Sequence, residues 1–168
     1  MNKELDNVTN QYLTFVLDQE LYTLSIAHVQ EVLEYMPITK VPGTQDFMLG
    51  VINVRGHAVP VVDLRLKFDL NIGEQTVDTC IIIVEVEIEK EKTTIGALVD
   101  GVEEVLELDA EKIEQPPRLG TKIDTEFIYG IAKIEDKFAI VLDIARVFSF
   151  AELDAMQGYS SEELEVTA

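Results

Sequence analysis

Short apolar runs separated by polar turns make up most of the chain, and this pattern predicts β-strands rather than long helices. Gln11 to Leu17 and Leu21 to Ile26 are rich in β-branched and aromatic residues, and the polar Asp18 to Glu20 separates them. The pattern therefore predicts a hairpin near the start of the chain. Similar runs continue to Ile144, which is typical of a small barrel or a sandwich. Small barrels fill with side chains, so we expect no large cavity.

Two segments have apolar residues at helical spacing and interrupt the strand pattern. In the segment from Ala27 to Glu34, the apolar Val29, Val32 and Leu33 would share one face of a helix. The segment from Gly101 to Leu106 has a similar sequence. We therefore expect a short helix at each of these two places.

The stretch from Gly50 to Phe68 recurs from Gly130 to Phe148, eighty residues later and without a gap. A second match relates Val29 to Glu34 with Val102 to Glu107, at five of six positions. Two matches in the same order indicate a duplicated small domain. A half of this length would be marginally stable alone, so we expect the halves to share a core or a firm interface. In the longer match the same residue type occupies both members of four pairs: Gly50 and Gly130, Val61 and Val141, Asp63 and Asp143, and Phe68 and Phe148.

The two hairpins differ at the turn, which is Arg55-Gly56 in the first copy and Glu135-Asp136 in the second. Gly56 permits the positive φ of a tight turn, so Arg55 should project outward. A single surface arginine usually contributes only solubility, yet arginine is enriched among the residues that dominate protein interfaces. Glu31 is the candidate partner that would hold the Arg55 guanidinium in place.

The 168 residues carry a formal net charge of −19 and are 47% hydrophobic, which fits one globular domain or two closely packed halves. Such acidity repels phosphate backbones and anionic lipid headgroups, so we expect neither nucleic-acid binding nor membrane-surface binding, and no direct membrane insertion is expected either. No apolar run is long enough for a transmembrane helix, and the polar first residues do not resemble a signal peptide. A single cysteine, Cys80, lies in an apolar run and should be a small buried hydrophobe. Together these features predict a cytoplasmic protein.

The residue types needed for catalysis or metal binding are few and scattered. His28 and His57 are the only histidines, and they lie in different predicted elements. Asp63 and Asp143 occupy equivalent strand ends, where turn or cap hydrogen bonds explain them better than a catalytic carboxylate pair. No zinc-ligand spacing, phosphate-binding loop or nucleophile elbow is present. We therefore expect no enzyme activity, no catalytic residue, no metal site and no cofactor. An enzyme that binds a small acid between the halves stays open as an alternative.

Several longer segments together resemble the CheW family of bacterial chemotaxis coupling proteins. They are QYLTFVL, LYTLSIAHVQEVLEY, ITKVPG, FMLGVINVRGHAVPVVDLRLKF, IGALVDGVEEVLEL, QPP and GIAKIEDKFAIVLDIARVF, in the order found in the family. The most specific part is the GVIN-x-RG-x-x-VP-x-x-DLR pattern that begins at Gly50. The resemblance covers about residues 11–150, which we assign to one domain of two pseudo-repeat halves. Residues 151–168 should form a C-terminal helix and an acidic tail, because Ser149 and Glu152 have capping-box spacing.

The resemblance implies a mainly β fold of two intertwined five-stranded SH3-like barrels with short helices, in which the halves exchange strands. It also implies a non-enzymatic adaptor that couples methyl-accepting chemoreceptors to the histidine kinase CheA and helps to assemble receptor–kinase arrays. Such an adaptor works in the cytoplasm and is recruited to receptor arrays at the membrane. The alternative is a regulatory CheW-like module of another two-component signalling system.

The resemblance also implies two sets of contact residues, each carried over by position. The contact with the regulatory domain of CheA would lie in a loop stiffened by prolines, which lowers the entropic cost of binding. Its residues are Glu114, Pro116, Pro117 and Leu119. The contact with the cytoplasmic tip of the receptor would lie around the groove between the barrels, where apolar side chains take a helix and an arginine pairs with an acid. Its residues are Val29, Glu31, Val32, Gly50, Asn53, Arg55 and Gly56.

Overall fold

The computed structural model describes residues 10–88, 90–115 and 127–148, with the backbone alone at residue 88. Within them the chain is mainly β, as predicted, and each helix is a single turn. The α-helices are α1 (Leu64–Lys67) and α2 (Ile144–Val147), and 310 helices span Ile26–His28 and Ala110–Lys112. The predicted C-terminal helix and tail lie outside the described residues. The strands are β1 (Gln11–Leu17), β2 (Glu20–Ser25), β3 (Val29–Glu34), β4 (Met48–Val54), β5 (His57–Asp63), β6 (Cys80–Ile88), β7 (Glu91–Val99), β8 (Gly101–Glu107), β9 (Ile113–Glu114), β10 (Ile128–Ile134) and β11 (Lys137–Leu142).

Strands from both copies of the repeat form each of two sheets, which we call barrel A and barrel B. Barrel A has the strand order β8-β1-β2-β11-β10-β9, and barrel B has the order β3-β6-β7-β5-β4. Two pairings are parallel: β11 of the second copy with β2 of the first, and β5 of the first copy with β7 of the second. This exchange agrees with the predicted pair of intertwined barrels. The two-residue β9 adds a sixth strand to barrel A, where five were expected.

The two predicted short helices are wrong, because both segments are strands. Val29–Glu34 forms β3, which pairs with β6, and Gly101–Glu107 forms β8, which pairs with β1. Only the single 310 turn Ile26–His28 precedes β3. Side chains along β3 alternate between half-buried and exposed, which is the two-residue period of a strand. Val32 lies on the exposed side, and its apolar side chain there produced the misleading helical spacing.

Gly50 and Gly130 show that the two copies share backbone detail as well as strand order. Each lies at a register shift in its hairpin, between β4 and β5 or between β10 and β11. A Cβ at Gly50 would collide with the carbonyl oxygen of Thr39, and a Cβ at Gly130 would lie 2.7 Å from the carbonyl oxygen of Glu114. Both glycines therefore allow a neighbouring segment to approach the hairpin closely. This shared geometry supports the duplication inferred from the repeat.

The largest apolar cluster lies between the two barrels and contains residues of both copies. Phe15 and Tyr22 of barrel A stack with ring centroids 6.0 Å apart, and Tyr22 stacks on Phe68 at 6.3 Å. Smaller apolar clusters fill the interior of each barrel. The expected shared core is thus confirmed. Cys80 belongs to it, and burial raises the pKa of the Cys80 thiol to about 11.

A buried ion-pair network joins the two copies beside this core. Asp63, at the end of β5, accepts hydrogen bonds from the Arg65 backbone N–H at 2.9 Å and from the Arg65 guanidinium at 3.0 Å. The guanidinium also donates to Asp100 at 2.7 Å, and Asp100 accepts the backbone N–H of Asp18 at 2.8 Å. Burial alone would lower the pKa of Arg65, but the two carboxylates outweigh it and raise that pKa. The network therefore fixes α1 of the first copy to the β7–β8 turn of the second.

Asp143 occupies the position of Asp63 in the second copy but does not cap its helix in the same way. Within the described residues, its carboxylate accepts no hydrogen bond from the first turn of α2 and lies 3.5 Å from Nε of the exposed Arg146. The residue equivalent to Arg65 is Ala145, which has no guanidinium to bind. The predicted cap role is thus confirmed for Asp63 and wrong for the Asp143 side chain.

Replacing Arg65 with methionine should destabilise the protein by about 3–5 kcal/mol, because the change leaves the buried Asp63 carboxylate and its neighbour Asp100 without a counter-ion. The matched control is Arg146→Met, which removes an exposed ion pair and should cost at most about 1 kcal/mol. Urea unfolding followed by far-UV circular dichroism measures both, since the chain has no tryptophan. Equal losses in the two variants would contradict a structural role for the buried network.

Candidate functional site

A two-residue turn joins β4 to β5 and carries the arginine singled out by the sequence. Arg55 and Gly56 have φ values of +50° and +86°, the left-handed pair that matches the twist of a hairpin. The backbone N–H of Gly56 donates to Oδ1 of Asn53 at 2.8 Å, which ties the turn to the end of β4. The predicted tight turn is therefore confirmed, and it holds Arg55 at the outer end of barrel B.

Glu31 binds the guanidinium of Arg55 through both carboxylate oxygens. Nη1 donates to Oε1 at 3.3 Å, and Nη2 donates to Oε2. The Arg55 side chain is 71% exposed and the Glu31 side chain 25% exposed. The hydrogen bond from Arg55, with a smaller contribution from its charge, holds the pKa of Glu31 below the usual carboxyl range. The predicted pairing is confirmed, and it links β3 to the β4–β5 turn across the two outer strands of barrel B.

The seven predicted receptor-contact residues differ in burial and in their contacts. Glu31, Asn53, Arg55 and Gly56 meet at the turn through the hydrogen bonds described above. Three others are placed differently: Val32 is 42% exposed on β3, Val29 is half-buried against the core between the barrels, and Gly50 is buried. The receptor contact itself stays a prediction.

The predicted kinase-contact residues lie on the other barrel as far as the structure describes them. Glu114 is exposed in β9, the outer strand of barrel A, and pairs with Ile131 of β10. Pro116, Pro117 and Leu119 lie outside the described residues. The kinase contact also stays a prediction.

A cleft of about 680 Å³ lies where the two barrels meet, beside the start of β3. None of the seven predicted receptor-contact residues lines it. The cleft forms between the barrels rather than inside one, and the barrel interiors hold apolar side chains, as expected. No short sequence pattern points to it, because its lining residues come from distant parts of the chain. The described residues that line it include Tyr12, His28, Glu85, Lys92, Tyr129 and Asp143.

The two histidines lie apart, as expected. Nδ1 of His28 is 3.4 Å from the carbonyl oxygen of Glu85, and His57 is exposed at the start of β5. Among the described residues, no group of three or more His, Cys, Asp and Glu side chains could hold a metal ion. No helix in the described part of the chain has the length and apolar character needed to span a membrane.

Comparisons with known proteins match almost the whole described fold. The family model described as the CheW-like domain matches residues 11–152. The chemotaxis protein CheW of Klebsiella aerogenes is 33% identical over 148 residues, which cover 88% of this chain and 87% of that protein. The Bacillus subtilis chemotaxis protein CheW is 32% identical over 132 residues, covering 78% of this chain and 81% of that protein. The crystal structure of the scaffolding protein TtCheW from Thermoanaerobacter tengcongensis has a TM-score of 0.76 and 40% identity, and the match covers 86% of this chain and 90% of that one.

In an NMR titration, the Glu31 carboxyl carbon should titrate below the ordinary pKa of about 4.3, and in Arg55→Gln it should return to the ordinary range. A carboxyl pKa depressed by folding means that the pair stabilises the fold above about pH 4.3 and loses this effect as the pH falls through the folded pKa. Lys133→Gln, at the exposed equivalent of Asn53, is the control and should leave the Glu31 titration unchanged. The same Glu31 midpoint in wild type and Arg55→Gln would show that the pair does not form in solution.

Proposed function

Because the chain belongs to the CheW family, we propose that it is a non-enzymatic adaptor that couples methyl-accepting chemoreceptors to the histidine kinase CheA. In this role it works in the cytoplasm, is recruited to receptors at the membrane and helps to assemble receptor–kinase arrays. The observation that carries the proposal is the exposed Arg55–Glu31 pair, held on a rigid turn inside the family's most specific sequence pattern. Relatives described as chemotaxis proteins, and one described as a scaffolding protein, support the same role.

Arg55 suits a protein interface because its guanidinium is charged, exposed and already oriented. A guanidinium has five N–H donors, and Glu31 accepts hydrogen bonds from two of its nitrogens. Because the Arg55 side chain is 71% exposed, a carboxylate of the receptor can reach the remaining donors. Since Glu31 and the turn already restrict the side chain, less conformational entropy is lost when a partner binds.

The proposed contact also includes two valines of β3, the strand that carries Glu31. Val32 is exposed on the opposite face of the strand from Glu31, while Val29 begins the same strand and is half-buried. Gly50 is buried against Thr39 and lets β4 approach the segment around Thr39 closely. Its part in the proposed contact is therefore indirect: it positions the β4–β5 turn. The proposed receptor contact therefore combines the polar turn with the exposed Val32 of β3.

The kinase contact is proposed for barrel A, at Glu114 and at the following Pro116, Pro117 and Leu119. Glu114 supports this placement because it is exposed on the outer strand of that barrel. Two consecutive prolines restrict the backbone before binding, which lowers the entropic cost of the contact. With the two contacts on different barrels, a single molecule can hold receptor and kinase at the same time.

Arg55→Glu should weaken binding to the receptor tip at least tenfold while the protein stays folded. The change places a second carboxylate beside Glu31 and removes the guanidinium that binds the receptor acid. Binding is measured in a pull-down with the purified receptor tip and CheA, and folding by circular dichroism.

The matched control for this prediction is Lys133→Glu, which makes the same charge change on the corresponding hairpin of barrel A. It should change receptor binding less than twofold. If Arg55→Glu binds the receptor tip as well as the wild type does, the assignment of Arg55 is wrong.

A further inference from the structure

The turn that carries Arg55 adopts a backbone conformation that its sequence supports only in part. Arg55 and Gly56 have φ values of +50° and +86°. Glycine adopts this left-handed region freely, but for arginine it is sparsely populated and persists only where the surroundings impose it. Asparagine, aspartate or glycine is the usual residue at the first position of such a turn. A further interaction is therefore expected to hold Arg55 in this conformation.

Asn53 supplies that interaction from the end of β4. Its Oδ1 accepts the backbone N–H of Gly56 at 2.8 Å, and its side chain is exposed. This N–H belongs to the planar peptide unit between Arg55 and Gly56, whose orientation is set by rotation about the Cα–C bond of Arg55 (ψ). The left-handed well allows a residue with a Cβ only a narrow range of ψ. By holding the peptide unit in one orientation, Asn53 keeps Arg55 in that well.

The second copy shows that the hairpin itself does not require this bond. Lys133 occupies the position of Asn53, and β10 and β11 still pair up to their turn. A lysine side chain has no acceptor, so an equivalent bond cannot form there. In this second turn, which the structure describes in full, Glu135 has a φ of +56° but Asp136 lies outside the left-handed region. The bond therefore accompanies the turn that presents an arginine, and its effect falls on Arg55 rather than on strand pairing.

A fixed backbone at Arg55 matters for its contact with Glu31. Nη1 donates to Oε1 at 3.3 Å and Nη2 donates to Oε2, a two-point geometry that depends on the direction in which the arginine side chain leaves the turn. The Arg55 side chain is 71% exposed, so packing against the barrel does little to fix it. Asn53 and Glu31 thus hold the same side chain from its two ends, the backbone and the guanidinium.

We propose that Asn53 is a positioning residue of the receptor contact, which acts on the receptor through Arg55 and not by a contact of its own. By accepting the Gly56 N–H, it keeps Arg55 in the left-handed turn, where Glu31 binds the guanidinium and a receptor carboxylate can reach it. The inference rests on the proposed function, because it takes Arg55 as the residue that binds the receptor. It gives Asn53 a role different from the direct contact expected from the sequence.

The first test uses the full chain without any partner. In an NMR titration, Asn53→Ala should raise the midpoint of the Glu31 carboxyl towards its ordinary value, because a less ordered Arg55 lowers the Glu31 pKa less. Lys133→Ala makes the same truncation at the equivalent position of the second copy and should leave the midpoint unchanged. Circular dichroism checks that both variants fold. The same Glu31 midpoint in Asn53→Ala and wild type would overturn the proposal.

The second test is a double-mutant cycle on the binding of a fluorescein-labelled receptor tip, measured by fluorescence anisotropy. Asn53→Ala should raise the Kd at least threefold in the wild type. In the Arg55→Gln variant the same change should raise it less than 1.5-fold, because no guanidinium is left to position. An equal loss in both backgrounds would mean that Asn53 contacts the receptor directly, and would overturn the proposal.

Asn53→Lys is a second variant, which introduces the residue of the second copy. It removes the acceptor and adds a positive charge beside a site proposed to bind an acid. Positioning predicts at least threefold weaker binding of the receptor tip in spite of that charge. Binding as tight as that of the wild type, or tighter, would contradict the positioning role.

The two kinds of measurement separate this proposal from the proposed function. If the wild type does not bind the receptor tip but Asn53→Ala shifts the Glu31 midpoint, the proposed function fails while the positioning of Arg55 by Asn53 remains. If the wild type binds and Arg55→Gln weakens binding, but Asn53→Ala leaves the Glu31 midpoint unchanged, the positioning proposal alone fails.

Discussion

Two parallel strand pairings, β5 with β7 and β11 with β2, are the constraint on which the rest of the structure depends. Each pairs the hairpin of one copy with a strand of the other, so neither copy completes a barrel alone. The largest apolar cluster consequently lies between the barrels and contains residues of both copies. The Arg65 network joins the copies beside the same cluster, through buried charges that are costly to separate. A surface built on this framework keeps a fixed geometry, which suits the proposed adaptor role.

The two copies share a backbone and differ in the side chains at its exposed ends. Arg55 and Glu135 both have positive φ at the turns of equivalent hairpins. In the first copy Arg55 binds Glu31, whereas in the second copy the equivalent residues are both acids, Glu135 and Glu104, and cannot form an ion pair. The same kind of difference occurs beside the core, because the second copy has Ala145 at the position of Arg65 and therefore lacks the guanidinium of the buried network. The duplication therefore provides one framework, and single substitutions give its two ends different chemistry.

Features set by neighbouring residues could be predicted from the sequence, and features set by tertiary packing could not. The Arg55-Gly56 turn and the Asp63 cap follow from local backbone preferences, and the Arg55–Glu31 pair follows from charge and the family pattern. β3 and β8 were predicted as helices because exposed Val32 and its equivalent Val105 mimic helical spacing, and only the pairing with β6 and β1 decides between the two states. The buried position of Arg65 and the cleft beside Tyr129 depend on how the copies pack, which no short pattern encodes.

In the proposed role, this chain acts by joining other proteins rather than by chemistry of its own. The most direct measurement is CheA autophosphorylation in membranes that contain a chemoreceptor, with and without the purified chain. In the proposed adaptor role, adding the chain should raise kinase activity several-fold and make that activity fall when the receptor binds attractant. Kinase activity that is unchanged by the chain, or that rises without becoming sensitive to attractant, would contradict the adaptor role.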